Sequence, residues 1–166
     1  MRNLFTQKGL NLRLRQIKAQ EQKVKAIGQE AGDAAGANCD WHDNFAYEDA
    51  KRRLEMESAH LQRLRDEISV AQLITVEEQS ERISIGVTVE VSIDNKMKEF
   101  TIGAYGESDP DIGLISYNTP LAKNLLKMEL GDSERINIGG KFLLIEVEAV
   151  HPPSYRYDAL IENLKD

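Results

Sequence analysis

Two carboxylates three residues apart, Asp40 and Asp43, stand with Trp41, His42 and Asn44 in a short acidic segment between two long heptad-patterned stretches. Hard oxygen ligands of this kind suit magnesium, which keeps several waters and is commonly held by one or two carboxylates together with phosphate. The same spacing also fits helix capping, because an Asp at the N-cap with an acid three positions on resembles a capping box and acids in a first turn favour the helix dipole. On spacing alone both readings stand, and they are compatible. Cys39 and His42 add a thiolate and an imidazole, but no second Cys or His pair follows to complete a tetrahedral zinc site. Arg52 and Arg53 follow within a few turns; they are placed either to hold a phosphate or to form a solvated face with Glu48 and Asp49. Trp41 is suited either to stacking on a base or to closing the end of a coiled coil.

The elements that must position this segment are legible on either side of it. From Leu10, steps of four and three run through Leu14, Ile17, Glu21, Val24, Gly28 and Ala31, an a/d seam weakened at Glu21 and Gly28 that predicts a helix to about residue 30. A second seam is cleaner: Tyr47, Ala50, Leu54, Glu57, Leu61, Leu64, Ile68 and Ala71. The two stripes bury best against each other as an antiparallel hairpin. Residues 32–38 are small and glycine-containing and read as the reversal between them. About 28 residues at 1.5 Å each make an arm of roughly 40 Å.

After Val76 the period changes. Ile83, Ile85, Val87, Val89, Val91 and Ile93 alternate as in a half-buried strand, and Asp94-Asn95 turns into a second strand with Phe100, Ile102 and Ala104 on one face. A short strand over 113–117 leads to Thr119-Pro120, an N-cap followed by proline at the first helical position, and so to a helix over about 120–128. Strands over 133–138 and 141–150 then form a hairpin about Gly139-Gly140. The organisation predicted is an arm at 1–75, a small, mostly antiparallel α+β domain at 76–150, and a polar tail at 151–166 with Leu160, Ile161 and Leu164 at helical spacing.

Composition narrows the function classes. No apolar run approaches the roughly 20 residues that span a bilayer, and the start lacks an apolar signal region, so no membrane partner and a cytoplasmic location are expected. One cysteine permits no internal disulfide. The net charge of -7 argues against a free-standing binder of duplex DNA. It is unevenly spread: up to residue 75 there are 12 basic residues against 11 acidic ones, which leaves 9 against 17 beyond it. A protein partner fits this better than naked nucleic acid. Gly103, Gly106 and Gly113 have the wrong spacing for a phosphate cradle, and no Gly-Lys-Ser/Thr follows them.

With hairpin, acidic segment and sheet domain in place, the chain resembles the bacterial GreA/GreB transcript cleavage factors over about residues 8–150. The stretch from Cys39 to Tyr47 matches, without gaps, the family's Gly-Asp-x-x-Glu-Asn-x-x-Tyr. Ala71-Gln72-Leu73-Ile74 resembles the hinge between arm and globular domain. Ile115-Ser116-Tyr117-Asn118-Thr119-Pro120-Leu121-Ala122 is similar to Ile-Ser-x-x-Ser-Pro-x-Ala, with threonine for serine. The resemblance implies an antiparallel coiled coil joined to an FKBP-like antiparallel sheet domain with one short helix. It also implies RNA polymerase as partner, with the globular domain docked through Thr119 and Pro120 at the rim of the secondary channel and the arm reaching inward. Asp40 and Asp43 would then help hold a magnesium ion shared with the polymerase active site, not bound stably by the free protein. Asn44 would orient the pair and Tyr47 anchor it, while Arg52, Arg53 and Trp41 contact the nascent RNA of the elongation complex. The factor, expected as a monomer, is not itself the enzyme: it stimulates cleavage of backtracked RNA by the polymerase.

The family pattern has glutamate where this chain has Asp43, one methylene shorter, and glycine where it has Cys39. These departures raise a rival, a channel-binding regulator without cleavage activity. A peptidyl-prolyl isomerase is a weaker rival, because a domain of about 75 aromatic-poor residues gives little material for the apolar pocket such chemistry needs. A coiled-coil adaptor whose acids only cap a helix is the third.

Overall fold

The computed structural model describes residues 2–37, 45–77 and 82–164. They form two compact units, residues 2–3, 10–37 and 45–71 in one and residues 4–9, 72–77 and 82–164 in the other. The fold class is α+β, a helical hairpin and a five-stranded sheet with a short helix. Strand β1 (Asn3–Phe5) pairs with β2 (Ala71–Leu73), so the segment that resembles a hinge is a short strand, and the division between units passes through both.

In the first unit, α1 (Gln7–Ala37) and α2 (Phe45–Ser69) are the hairpin. Residues bridged across it rise on one helix as they fall on the other: Glu67 pairs with Arg13, Glu57 with Lys23 and Arg53 with Glu30. The helices are thus antiparallel. Two expectations for α1 need correction. The helix continues through 32–37, where a reversal was expected, since glycine disfavours a helix only by about 1 kcal/mol each and three alanines offset it. Its seam keeps Ile17, Val24 and Ala31 but differs at two positions between them. Gln20 and Ile27 are buried in place of Glu21 and Gly28, and Leu14 is 49% exposed. The inward set becomes Ile17, Gln20, Val24, Ile27 and Ala31, which still steps by three and four and seats a larger side chain at 27 than Gly28 could offer. On α2 the expected seam holds from Tyr47 to Ile68, with Ala50, Leu61 and Leu64 buried, but the helix ends at Ser69 and Ala71 lies in β2.

The second unit is built on the sheet order β5-β4-β3-β7-β6. Its strands are β3 (Thr88–Ile93), β4 (Lys96–Gly103), β5 (Leu114–Ser116), β6 (Ser133–Ile138) and β7 (Lys141–His151). The pairings are antiparallel except β4 with β5, which is parallel, so the sheet is mostly antiparallel as expected. The strand expected over 83–93 is regular only from Thr88. Gly86, at φ 96, turns the chain just before it, and a Cβ there would lie 2.3 Å from Val76 Cγ1. Only glycine fits that bend without strain.

One sheet face carries Val89, Val91, Ile102, Ile115, Ile136, Ile145 and Val147, packed with Ala122 and Leu125 of α3 (Pro120–Leu125) and with Met128. Leu114 alternates with Ile115 and so faces the other side, where it packs with Tyr157 and Ile161 of α4 (Pro153–Asn163). The polar tail is therefore largely this helix, docked on the sheet.

Candidate functional site

The acidic segment joins α1 and α2, and Asp40, Trp41, Asp43 and Asn44, with Cys39 and His42, lie outside the described residues. What is described is the apparatus on either side. Halfway along the hairpin a polar layer interrupts the apolar seam. Gln20 Nε2 donates to the Glu57 carbonyl at 3.0 Å and to its Oε2 at 2.7 Å, while Lys23 Nζ lies 2.6 Å from Oε1. Lys23, and after it Gln20, hold the Glu57 carboxyl below the usual range. A polar group at a seam position is satisfied only in one register, so this layer fixes how the helices align, and with it the level at which they end.

Nearer the acidic segment, Arg53 donates to Glu30 Oε1 at 2.5 Å and to Asp49 Oδ2 at 2.9 Å. The Glu30 hydrogen bond, chiefly, raises its pKa further. Arg53 is thus a strut between helices, whereas Arg52, one residue away, is exposed, with no acidic partner among the described residues. Of the two candidates for phosphate contact, Arg52 has its guanidinium available. Tyr47 is half-buried in the first turn of α2, on the seam, consistent with packing at the base of the acidic segment. Phe45, the first residue of α2, is 81% exposed. Among the described residues no group of three or more His, Cys, Asp or Glu side chains is arranged to hold a metal.

In the sheet unit, Thr119 caps α3: its φ of -68 and ψ of 152 are extended, and its Oγ1 accepts from Ala122 N at 3.3 Å. Pro120 fills the first helical position, where the missing N–H has no acceptor to lose, and remains exposed. Capping accounts for the pair structurally and leaves the proline ring open to a partner.

One cluster was not foreseen. Glu107 has no exposed surface, yet both carboxylate oxygens are engaged. Oε1 accepts from Thr6 Oγ1 at 2.5 Å; Oε2 accepts from Ala104 N at 2.7 Å and from the Tyr157 hydroxyl at 2.7 Å. Burial, with Glu107 adding to it, pushes the Tyr157 phenol far above its usual range. The fit is close: a Cβ on Gly9 would lie 2.7 Å from Glu107 Oε1, and one on Gly103 2.5 Å from its carbonyl oxygen. Glu107 therefore ties together residues 6, 104 and 157. The sequence shows Glu107 only as one acid in an acidic stretch; the glycines at 9 and 103 were its available signal.

Comparison with known proteins shows the family. Residues 78–152 match the family described as transcription elongation factor, GreA/GreB, C-terminal. The transcription elongation factor GreA of Nautilia profundicola is 34% identical over 122 residues, covering 71% of this chain and 75% of that protein. GreA of a Nitratiruptor species is 32% identical over 141 residues, covering 83% and 85%. Among solved structures, GreA factor homolog 1 of Thermus thermophilus shares 20% identity over 91% of this chain and 99% of that one, with a TM-score of 0.44. This chain belongs to the GreA/GreB family of transcription elongation factors.

No helix among the described residues is long and apolar enough to cross a membrane.

Proposed function

We propose that this factor binds RNA polymerase, passes its helical arm through the secondary channel and stimulates cleavage of backtracked nascent RNA by the polymerase. The observation that carries the reading is the arm itself, two antiparallel helices of 31 and 25 residues joined by a segment that holds Asp40 and Asp43. At 1.5 Å per residue α1 alone is about 46 Å long. The polar layer at Gln20 and Glu57 and the strut at Arg53 fix the register of the two helices that flank the acidic segment.

Asp40 and Asp43 supply the carboxylates, with Asn44 orienting them and Tyr47 anchoring the first turn behind them. A magnesium ion shared with the polymerase centre, when bound, supplies Lewis-acid activation of water for phosphodiester hydrolysis. Arg52 draws the RNA phosphate toward the arm. Thr119 and Pro120 form part of the docking surface of the sheet unit. The factor acts as a monomer and is not the enzyme.

The test is a stalled, backtracked elongation complex in magnesium, to which wild type, Asp40→Ala or Asp43→Ala is added. Shortened RNA with the wild type, reduced roughly a hundredfold by either substitution, is the expected result. Inhibition of elongation without cleavage would assign the rival regulatory role, and failure to bind polymerase would remove both.

A further inference from the structure

One flank of the hairpin holds a groove of about 600 Å³. On α1, Arg13, Gln16, Ala19 and Lys23 step along it by three, three and four, and on α2 His60 and Leu64 line it one turn apart. The small side chain of Ala19, between the long ones of Gln16 and Lys23, leaves the space open. Four of the lining side chains are basic, Arg13, Arg15, Lys23 and His60, and among the described residues that line it none is acidic. The acids of this flank act from the side: Glu67 lies 3.3 Å from Arg13 and Glu57 lies 2.6 Å from Lys23. Arg13 also donates from Nη1 to Gln16 Oε1 at 2.9 Å. These contacts hold the cations in place before any ligand arrives, which lowers the ordering cost of binding. Lys23 has three N–H donors, of which the Glu57 contact takes one.

We infer that this groove binds the polyphosphate chain of a small molecule such as a nucleoside triphosphate. The inference goes beyond the function proposed above and does not depend on it. Charge selects an anion, and phosphate oxygens accept from guanidinium groups in pairs and from an ammonium as a point charge. Volume selects a small molecule, since sites for such ligands run from about 300 to 1,000 Å³. Extent separates this ligand from a nucleic-acid strand. Arg13 to Lys23 covers about 15 Å of helix, and further along the same flank comes Glu30, whose carboxylate Arg53 already holds. A long strand would run off the cations onto that acid, whereas a short polyphosphate ends before it. The groove is also separate from the acidic segment, because Ala37, the last residue of α1, lies about 21 Å beyond Lys23 along the helix.

The experiment titrates the full chain, without polymerase and in the presence of EDTA, with ATP and with inorganic tripolyphosphate, and reads binding by calorimetry. Saturable binding at one site is expected, weakened by added salt. Arg15→Gln and Ala19→Glu should each lower the affinity roughly tenfold. Both positions are exposed and both new residues are good helix formers, so the hairpin folds, as circular dichroism would check. Lys18→Gln removes one positive charge outside the groove and should leave the affinity unchanged. Equal binding of the two probes would assign the contact to the phosphates, and tighter binding of ATP would add the nucleoside to it; either supports the inference. No saturable binding of either probe would overturn it. So would an equal loss with Lys18→Gln, which would show attraction by diffuse charge. Tighter binding of a short single-stranded RNA, lost in the same two variants, would assign the groove to RNA and overturn it as well. With no polymerase present, none of these outcomes bears on the cleavage reading.

Discussion

The two units of this protein hold polar groups in opposite ways. In the sheet unit Glu107 is sealed off with three donors and no exposed surface, beside a core of branched aliphatic side chains. In the arm the polar layer at Gln20, Lys23 and Glu57 is open at one side, the Glu57 side chain being 22% exposed and Lys23 55%. The difference teaches where each unit draws its order. The sheet unit depends on burial, and a group removed from inside it leaves others stranded. The arm depends on repeated small contacts along its length, no one of which decides whether it folds, although the polar layer decides its register.

The largest effect is expected from Glu107→Ala, which leaves the Thr6 hydroxyl, Ala104 N–H and Tyr157 hydroxyl without their acceptor; a loss of roughly 3–5 kcal/mol in denaturant unfolding is predicted. A change below 1 kcal/mol would break the contrast. Gly103→Ala comes next. The new methyl group would press on the Glu107 carbonyl, and overpacking of this kind costs about 1–3 kcal/mol, read in the same titration. In the arm, Gln20→Leu should alter stability less than either, while loosening the register; spin labels on the two helices would show a broadened distance distribution where wild type shows a narrow one.

The smallest effect is a pH dependence of the arm. Glu57 has a folded pKa held below its unfolded value by Lys23 and Gln20, so its contribution is fully present above the unfolded value of about 4.3 and is lost as pH falls through the lower, folded value. Unfolding of the arm should therefore show an acid-side loss below about pH 4.3 that Glu57→Gln removes and added salt weakens. A loss centred near neutral pH would point to another group.

Local punctuation was readable in the sequence; distant partnership was not. The 133–138 and 141–151 strands came out nearly to the residue because Gly139 and Gly140, at φ 60 and 85, can supply the turn they flank. Thr119-Pro120 marked the start of α3 for an equally local reason. On α1 the inward position at Gln20 was missed because Gln20 looks like a surface residue until Glu57 on the other helix accepts its hydrogen bonds. Burial of Glu107 was invisible for the same reason at longer range, since its partners Thr6 and Tyr157 lie 101 and 50 residues away. At the acidic segment the residue types and the family pattern carry the reading, and the structure adds the Arg53 strut behind it and the exposure of Arg52 and Phe45.

The central claim is that the arm delivers Asp40 and Asp43 as magnesium ligands to a polymerase that does the cutting. The most direct measurement is the cleavage rate of a backtracked complex against magnesium concentration, with wild type, Asp43→Ala and Asp43→Glu. The prediction is that Asp43→Ala lowers the rate roughly a hundredfold and shifts half-saturation to higher magnesium, while Asp43→Glu, one methylene longer, matches or exceeds wild type. An Asp43→Ala curve that overlays the wild-type curve would contradict it.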